Sequence, residues 1–311
     1  MKWIKQGIVF APNHNYDWMV SHASVPVVDE VRDGVLRIYF GTRDGGGRSH
    51  PGYVEVEAAR PANLLYVHDK PLLSLGRRGT FDEGGIVPSW LVNQGTKKYL
   101  YYIGWNPQVT VPYRLAIGLA ISEDGGNSFH KVSDGPICDR SFAEPFFNTA
   151  PCVLFTGGKW KMWYSSCTGW EIINGVPEAR YHLQYADSVD GINWRKTGLV
   201  CVDYDDFTKA IGRPAVFYED GLYKMFYSYR GILNYRTDRQ QSYRLGYAES
   251  RDGLSWTRRD EDAGIDRSEA GWDSEMIEYS YRHEHQCQKY LFYNGNGFGA
   301  TGFGYAVLDE D

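Results

Sequence analysis

Carboxylates recur just ahead of apolar, proline-containing segments in this chain. Asp82 and Glu83 stand in "GTFDEGGIVP", Glu144 in "AEPFFNTAP", and Asp273 and Glu275 in "GWDSEMIEY". A set of acids brought to one concave site suits cleavage of an acetal. One carboxyl stays protonated as acid while another serves as base or nucleophile, and their separation sets the stereochemical outcome. Glu275 and Asp82 are the expected acid–base pair, Glu144 is a third candidate, and Asp273 and Glu83 complete the set.

Residues suited to holding a substrate lie near the same segments. Asp17 and His22 occur in "NYDWMVSHASVP", Arg43 follows "RIYFGT", and Trp105 and Asn106 close "YLYYIGWN". Trp170, Arg213, Arg230 and Asn294 occupy comparable places further on. Indole faces stack on the C–H faces of sugar rings. A guanidinium binds carboxylate or phosphate through two parallel hydrogen bonds, or else pairs with a neighbouring acid as scaffold.

Other chemistries find little support. His14, Asp17, His22 and His50 match no tight metal-ligand spacing. The glycines of "NGNGFGATGFG" precede no helix, so they read as close strand packing and a tight turn rather than a phosphate loop. No cofactor motif is present, and neither metal nor cofactor is expected. The five cysteines are scattered without a CxxC, which reads as buried thiols in a reducing compartment.

The elements that must position these residues show in a repeat. "YADSVDGINW", "YAESRDGLSW" and the looser "LAISEDGGNSF" align on Ala186, Ala248 and Ala120, which lie 62 and 66 residues from one another along the chain. Asp-Gly marks a tight turn, and a strand on each side makes a hairpin. Upstream of each copy lies an aromatic strand ("KKYLYYIGW", "GKWKMWYSS", "GLYKMFYSYR"), and upstream again an apolar strand around a proline ("IVPSWLV", "TAPCVLF", "GRPAVFY"). Partial units flank the three: "HASVPVV", "GVLRIYFGTRD" and "HPGYVEVE" at the start, "SEMIEYSY", "QKYLFYNGNGFG" and "TGFGYAVL" at the end. This spacing predicts an all-β, five-bladed propeller of four-stranded blades in one domain, 1–311, with "WIKQGIVF" completing the last blade. The first strand of each blade would line the axis, where a ligand site collects residues from several blades.

Bulk composition agrees. The 311 residues are 42% hydrophobic and 15% aromatic, with 24 Tyr and 10 Trp, and the net charge is −6. Without a basic cluster, nucleic acid is not expected as a partner. No 18-residue apolar run or signal-peptide pattern occurs, so no membrane span is expected, and the reading is a cytoplasmic protein. Oligomeric state is not legible.

The repeated "S-x-D-G-x-x-W" hairpins resemble those of five-bladed propeller glycoside hydrolases, the group that holds arabinanases, xylosidases, invertases and mannoside phosphorylases. The strings "GTFDEGGIVPSW", "IGRPAVFYEDGLYKMFYSYR", "GWDSEMIEY" and "YNGNGFGATGFGYA" look closer to a bacterial glycosidase-like subgroup associated with surface-polysaccharide or nucleotide-sugar gene sets. The resemblance implies a bacterial carbohydrate-active enzyme. It also exposes departures. Val25 stands where the arabinanase pattern has an Asp before the first proline, and Ser89 where it has an Asp after the second. No inner-strand proline follows a Glu by two residues, and the invertase "NDPNG" and "RDP" are missing. Three readings stay open: a glycoside hydrolase with relocated acids; a non-hydrolytic transformation of a nucleotide- or phospho-sugar in surface-glycan biosynthesis; and a non-catalytic carbohydrate-binding propeller.

Overall fold

The computed structural model describes residues 1–309. In chain order the strands are β1 (Trp3–Phe10), β2 (Ser21–Arg32), β3 (Val35–Arg43), β4 (Ser49–Glu57), β5 (Arg60–Val67), β6 (Gly85–Gln94), β7 (Lys97–Pro107), β8 (Tyr113–Ser122), β9 (His130–Lys131), β10 (Asn148–Thr156), β11 (Lys159–Ile173), β12 (Val176–Ser188), β13 (Arg195–Val202), β14 (Ala210–Glu219), β15 (Leu222–Arg230), β16 (Arg244–Ser250), β17 (Thr257–Arg258), β18 (Glu278–His285), β19 (Gln288–Asn294) and β20 (Phe303–Leu308). A short 3-10 turn, Asp260–Ala263, and a single helical turn, Asn296–Gly299, are the helical elements among the described residues. The chain is nearly all-β.

The strands form one four-stranded sheet, β1-β20-β19-β18, and two eight-stranded sheets, β2 to β9 and β10 to β17. Each larger sheet is two antiparallel runs joined by one parallel residue pair, Ser49 with Gly85 and Tyr181 with Ala210. The N-terminal strand lies antiparallel to β20, with Trp3 opposite Leu308 and Phe10 opposite Phe303. The expected strand "SEMIEYSY" differs in its start. β18 begins at Glu278, and Ser274 is held in a turn through Gly271 and Asn296 instead.

The Asp-Gly repeat turns a corner and ties neighbours together. Asp190 Oδ1 accepts the amides of Ile192 and Asn193, and Ser188 Oγ accepts that of Gly191. Asp252 and Ser250 do the same for Leu254, Ser255 and Gly253. These bonds hold the Asp190 carboxyl far below the usual range. Gly191 adopts φ +75°, and a Cβ there would come within 2.9 Å of the Tyr101 hydroxyl. The turn carbonyl then accepts from the preceding run: Tyr101 on β7 donates to Gly191 O at 2.8 Å, and Trp163 on β11 donates to Gly253 O at 2.8 Å. In the looser copy Arg37 on β3 donates to Gly126 O. The motif therefore recurs because each run must be latched to the one before it.

The innermost strands meet at a set of bulges. Val25, Ala150, Arg213 and Tyr279 all have φ between +49° and +58°, each beside a register shift in β2, β10, β14 or β18. For a β-branched or bulky residue this conformation is strained and persists only where surroundings enforce it. Three of these bulge amides are caught by side chains of an adjacent run. Asn294 Oδ1 accepts from Val25 N, Ser165 Oγ from Arg213 N, and Ser228 Oγ from Tyr279 N.

Asp190→Ala removes one acceptor for two backbone amides and loosens the latch from Tyr101. The expected loss is about 1–2 kcal/mol, read as a lower urea midpoint with an unchanged slope.

Candidate functional site

The bulges turn side chains toward a cavity of about 340 Å3, within the range of small-molecule sites. It sits where the first strands begin and the second strands end. Its aromatic wall is Trp105, Tyr113, Phe147, Tyr181, Tyr235, Tyr243, Tyr279 and Phe298. Its charged lining is cationic: Arg43, Arg213, Arg230 and Arg236.

Each arginine is held differently. Arg213 is fully buried and lies across the centre. It donates to the carbonyls of Ser280 on β18, Pro26 on β2 at 3.2 Å and Ser89 on β6 at 3.1 Å, and stacks near Trp90. Burial lowers its pKa to about 10, so it stays charged at neutral pH. Arg230 is boxed by tyrosines. Its guanidinium lies 3.7 Å from the Tyr235 ring centroid, receives flanking contacts from Tyr181 and Tyr243, and donates to Ala179 O at 3.0 Å. Arg236 pairs with Glu178 at the rim. Arg43, at the end of β3, accepts from Val20 N through its carbonyl, but its side chain has no hydrogen bond or ion pair among the described residues. Its guanidinium is free for a ligand.

One carboxyl belongs to this region, and sequence reasoning missed it. Glu278 opens β18, is fully buried, and adjoins the lining residue Tyr279. Asn294 donates to its Oε1 at 3.0 Å, while Oε2 has no hydrogen-bond partner among the described residues. Burial pushes the carboxyl up to about 8, against Asn294 and the positive fields of Arg230 and Arg43. A protonated acid at neutral pH is the result. The Trp105 indole N–H and the Thr149 hydroxyl are buried there without partners as well. The signal available in the sequence was a lone Glu between Ile277 and Tyr279 in an otherwise apolar strand.

The expected acids are placed elsewhere, in a repeated tie. Asp82 accepts from Lys131 on β9 at 2.6 Å and from the Tyr102 hydroxyl on β7 at 3.1 Å. Glu144 accepts from Tyr164 on β11, Ser166 and Asn148, with Lys196 on β13 at 3.5 Å. Asp273 accepts from Lys5 on β1 at 2.6 Å and from Tyr293 on β19 at 3.0 Å. In the run β14 to β17, Tyr227 donates to Asp260, and Arg258 bridges Asp260 and Asp205. Each tie joins a loop, a second-strand tyrosine and a cation on or beside the outermost strand. None of Asp82, Glu144 or Asp273 lines the cavity. Glu83 accepts from Gly79 N and Asn106 Nδ2, and Glu275 is exposed in the loop before β18, its amide held by Asn296. The structure thus does not bring Glu275 and Asp82 together in this cavity.

Of the expected binding residues, Arg43, Trp105, Arg213 and Arg230 line it. Asn294 supports Glu278 and Val25, and Trp170 backs the wall through Tyr113 and Phe147. His22 stands near Arg43, and burial with that positive charge lowers it to about 4, so it is neutral at pH 7. Asp17 is exposed, and Asn106 is turned to Glu83 and Thr80. Among the described residues no three His, Cys, Asp or Glu gather as a metal site. Cys138, Cys152, Cys167 and Cys201 are buried and pushed up to about 12, while Cys287, against expectation, is exposed.

Comparison with known proteins places the chain. It is 40% identical, over all 311 residues of both chains, to uncharacterized protein Rv1502 of Mycobacterium tuberculosis strain H37Rv, and equally to its counterpart MT1551 in strain CDC 1551. The chain belongs to their family. No protein-family model matches it. In fold it is similar to a glycoside hydrolase with a TM-score of 0.74 and 17% identity, covering 98% of this chain and 90% of the other. It is also similar to a structure from work on the GH130 family of mannoside phosphorylases, which contains glycoside hydrolases that target β-1,2-mannosidic linkages in Candida mannan. There the TM-score is 0.72 at 16% identity, with 99% and 94% covered. The chain thus has the fold of glycoside-hydrolase-type proteins. No helix among the described residues is long and apolar enough to cross a membrane.

Two outcomes follow. Arg213→Met leaves three inner-strand carbonyls without a donor and lowers stability by about 3 kcal/mol in urea unfolding. For Glu278 the folded-state value lies above the ordinary one of 4.5. Its contribution is therefore fully present below about pH 4.5 and is lost as pH rises through about 8. Thermal melts of wild type should fall relative to Glu278→Gln across that window, with the two curves parallel above it.

Proposed function

We propose that the chain is a single domain, a five-bladed propeller of four-stranded blades, and that its axial cavity takes a sugar carrying an anionic group, phosphate above all. The observation that carries this reading is a lining of arginines and aromatic rings, with the buried carboxyl of Glu278 next in the chain to the lining residue Tyr279. Arg43, with no protein partner, and Arg230, fixed by tyrosines, supply charge-assisted donors for phosphate. Trp105, Tyr113 and Phe298 offer flat faces for a sugar ring.

In this reading the protein is carbohydrate-active and glycosidase-like in scaffold, and Glu278 is its general acid. It holds a proton near neutral pH and would donate it to the leaving oxygen as the anomeric bond breaks. The carboxylate left behind is stabilised by Arg43 and Arg230 and regains a proton from solvent. No carboxylate lines the cavity, so the nucleophile is water, which bonds to the anomeric carbon and gives up its proton to solvent as the leaving oxygen takes the proton of Glu278. Asp82, Glu144 and Asp273 hold each blade's outer strand to its inner loop. The fold likeness to glycoside hydrolases and to proteins of the mannoside phosphorylase family supports the sugar, and the arginines support the phosphate.

The test is turnover by NMR with aryl glycosides, neutral oligosaccharides, sugar phosphates and nucleotide-sugars. Conversion is expected within the phosphate-bearing set, reduced about 100-fold or more in Glu278→Gln and about tenfold in kcat/KM in Arg43→Ala. Turnover of neutral glycosides that survives Glu278→Gln but is abolished by Glu275→Gln would return the chemistry to the loop acids and overturn this reading.

A further inference from the structure

The cavity is unusual for a sugar site in what its lining lacks. Among the described residues that form it there is no Asp, Glu, Asn, Gln, His or Lys. A ring hydroxyl both donates and accepts, so a buried one needs an acceptor for its proton, and arginine and tryptophan only donate. The side-chain acceptors of this cavity are therefore hydroxyls, and several are already engaged. Ser165 Oγ accepts from the Arg213 amide, and Ser24 Oγ donates to Gly41 O. The Tyr181 and Tyr243 hydroxyls bond each other, and Tyr235 donates to Glu178. Thr149, Ser49 and the remaining tyrosines are what is left to receive a sugar's protons.

Much of the wall is hydrocarbon. Val25, Val87, Ile103, Leu115, Phe147 and Ala150 belong to one apolar cluster, each is more than nine-tenths buried, and all six line the cavity. They come from β2, β6, β7, β8, β10 and the residue just before β10. Trp105 and Tyr113 pack against the same cluster, their ring centroids 4.9 Å apart. Two buried polar atoms beside it have no partner: the Trp105 indole N–H and the hydroxyl of Thr149, which precedes Ala150.

We infer that the sugar is a deoxy-sugar: a phosphate-bearing ring in which a hydroxyl of a common hexose is replaced by hydrogen, so that a methyl or methylene edge lies on the wall of Val87, Ile103 and Leu115. This rests on the proposed function and narrows its substrate. A fully hydroxylated ring pressed on this wall leaves a hydroxyl proton without an acceptor in a dry place, which weakens binding about tenfold or more. A deoxygenated edge loses nothing there and gains hydrophobic burial. The free guanidinium of Arg43 serves the phosphate, and the unspent donors of Trp105 and Thr149 serve the oxygens the ring retains.

The experiment is titration of the full chain with inorganic phosphate, phenyl phosphate, glucose 1-phosphate and its 2-deoxy and 6-deoxy forms, followed by ligand-detected NMR. At least one deoxy form is expected to bind about tenfold tighter than glucose 1-phosphate. Arg43→Ala should weaken all of them. Leu115→Asn and Val87→Thr each place an acceptor on the wall and should cut the deoxy preference to about twofold. That preference is a ratio read within one variant, so a general loss of affinity does not move it, and two variants cover the failure of one to fold. Equal affinity for glucose 1-phosphate and both deoxy forms would overturn the deoxy-sugar and leave the phosphate cavity standing. A preference unchanged in both wall variants would overturn the wall as its source. Tighter binding of phenyl phosphate than of every sugar phosphate would overturn the sugar in favour of an aromatic ligand. Binding of none of these phosphates would overturn the cavity reading itself.

Discussion

One guanidinium holds the centre. Arg213 reaches across from β14 and gives its protons to the carbonyls of three other innermost strands. Those strands open where they bulge, and bulged backbone leaves carbonyls that no ladder partner can reach. A buried cation with several donors answers all three at once, and the carbonyl dipoles in turn make its charge tolerable without a carboxylate. The Trp90 and Tyr281 rings close over it. The cavity rests on this plug, so the shape of the site and the stability of the fold share a residue.

The same logic separates the two kinds of acid. Asp82, Glu144 and Asp273 each meet a lysine and a tyrosine hydroxyl, which ties a loop to two strands. Glu278 meets an amide and otherwise a dry environment, which favours a held proton. A fixed carboxylate fastens strands. A protonated carboxyl near two arginines is in a state that can change when a ligand arrives.

The arrangement of strands was legible because its signals are local. Asp-Gly turns, aromatic second strands and proline-bearing first strands all lie within a few residues of what they specify. In two of the three copies, Gly118 and Gly246, two residues before Ala120 and Ala248, clear the rings of Tyr102 and Tyr227, while Gln184 stands at that place before Ala186. The roles of the acids were not legible, because their partners are remote. Asp82 is 49 residues from Lys131, and Asp273 is 268 from Lys5. Regular acids ahead of each first strand looked like a convergent site, while the cations that neutralise them sat on the outer strands. Glu278 drew no notice because nothing marks it except its apolar neighbours, and the start of β18 was set four residues too early. Arg43, Trp105, Arg213 and Arg230 were found because they cap strands whose ends the pattern located well.

The pairing of β1 with β20 sets an order in time. Trp3–Phe10 leaves the ribosome about 300 residues before Phe303–Leu308, the strand it must join. At about 5–20 residues per second that is roughly 15–60 s during which an apolar segment has no partner. Lys5 cannot meet Asp273, nor Trp3 its Gly264 carbonyl, until nearly the whole chain is made. The alternation of exposed and buried positions in "WIKQGIVF", with Lys5 and Gln6 in the middle, keeps this waiting strand from being a continuous sticky edge. Joining β1 to β20 thus waits until the strands between them have been made.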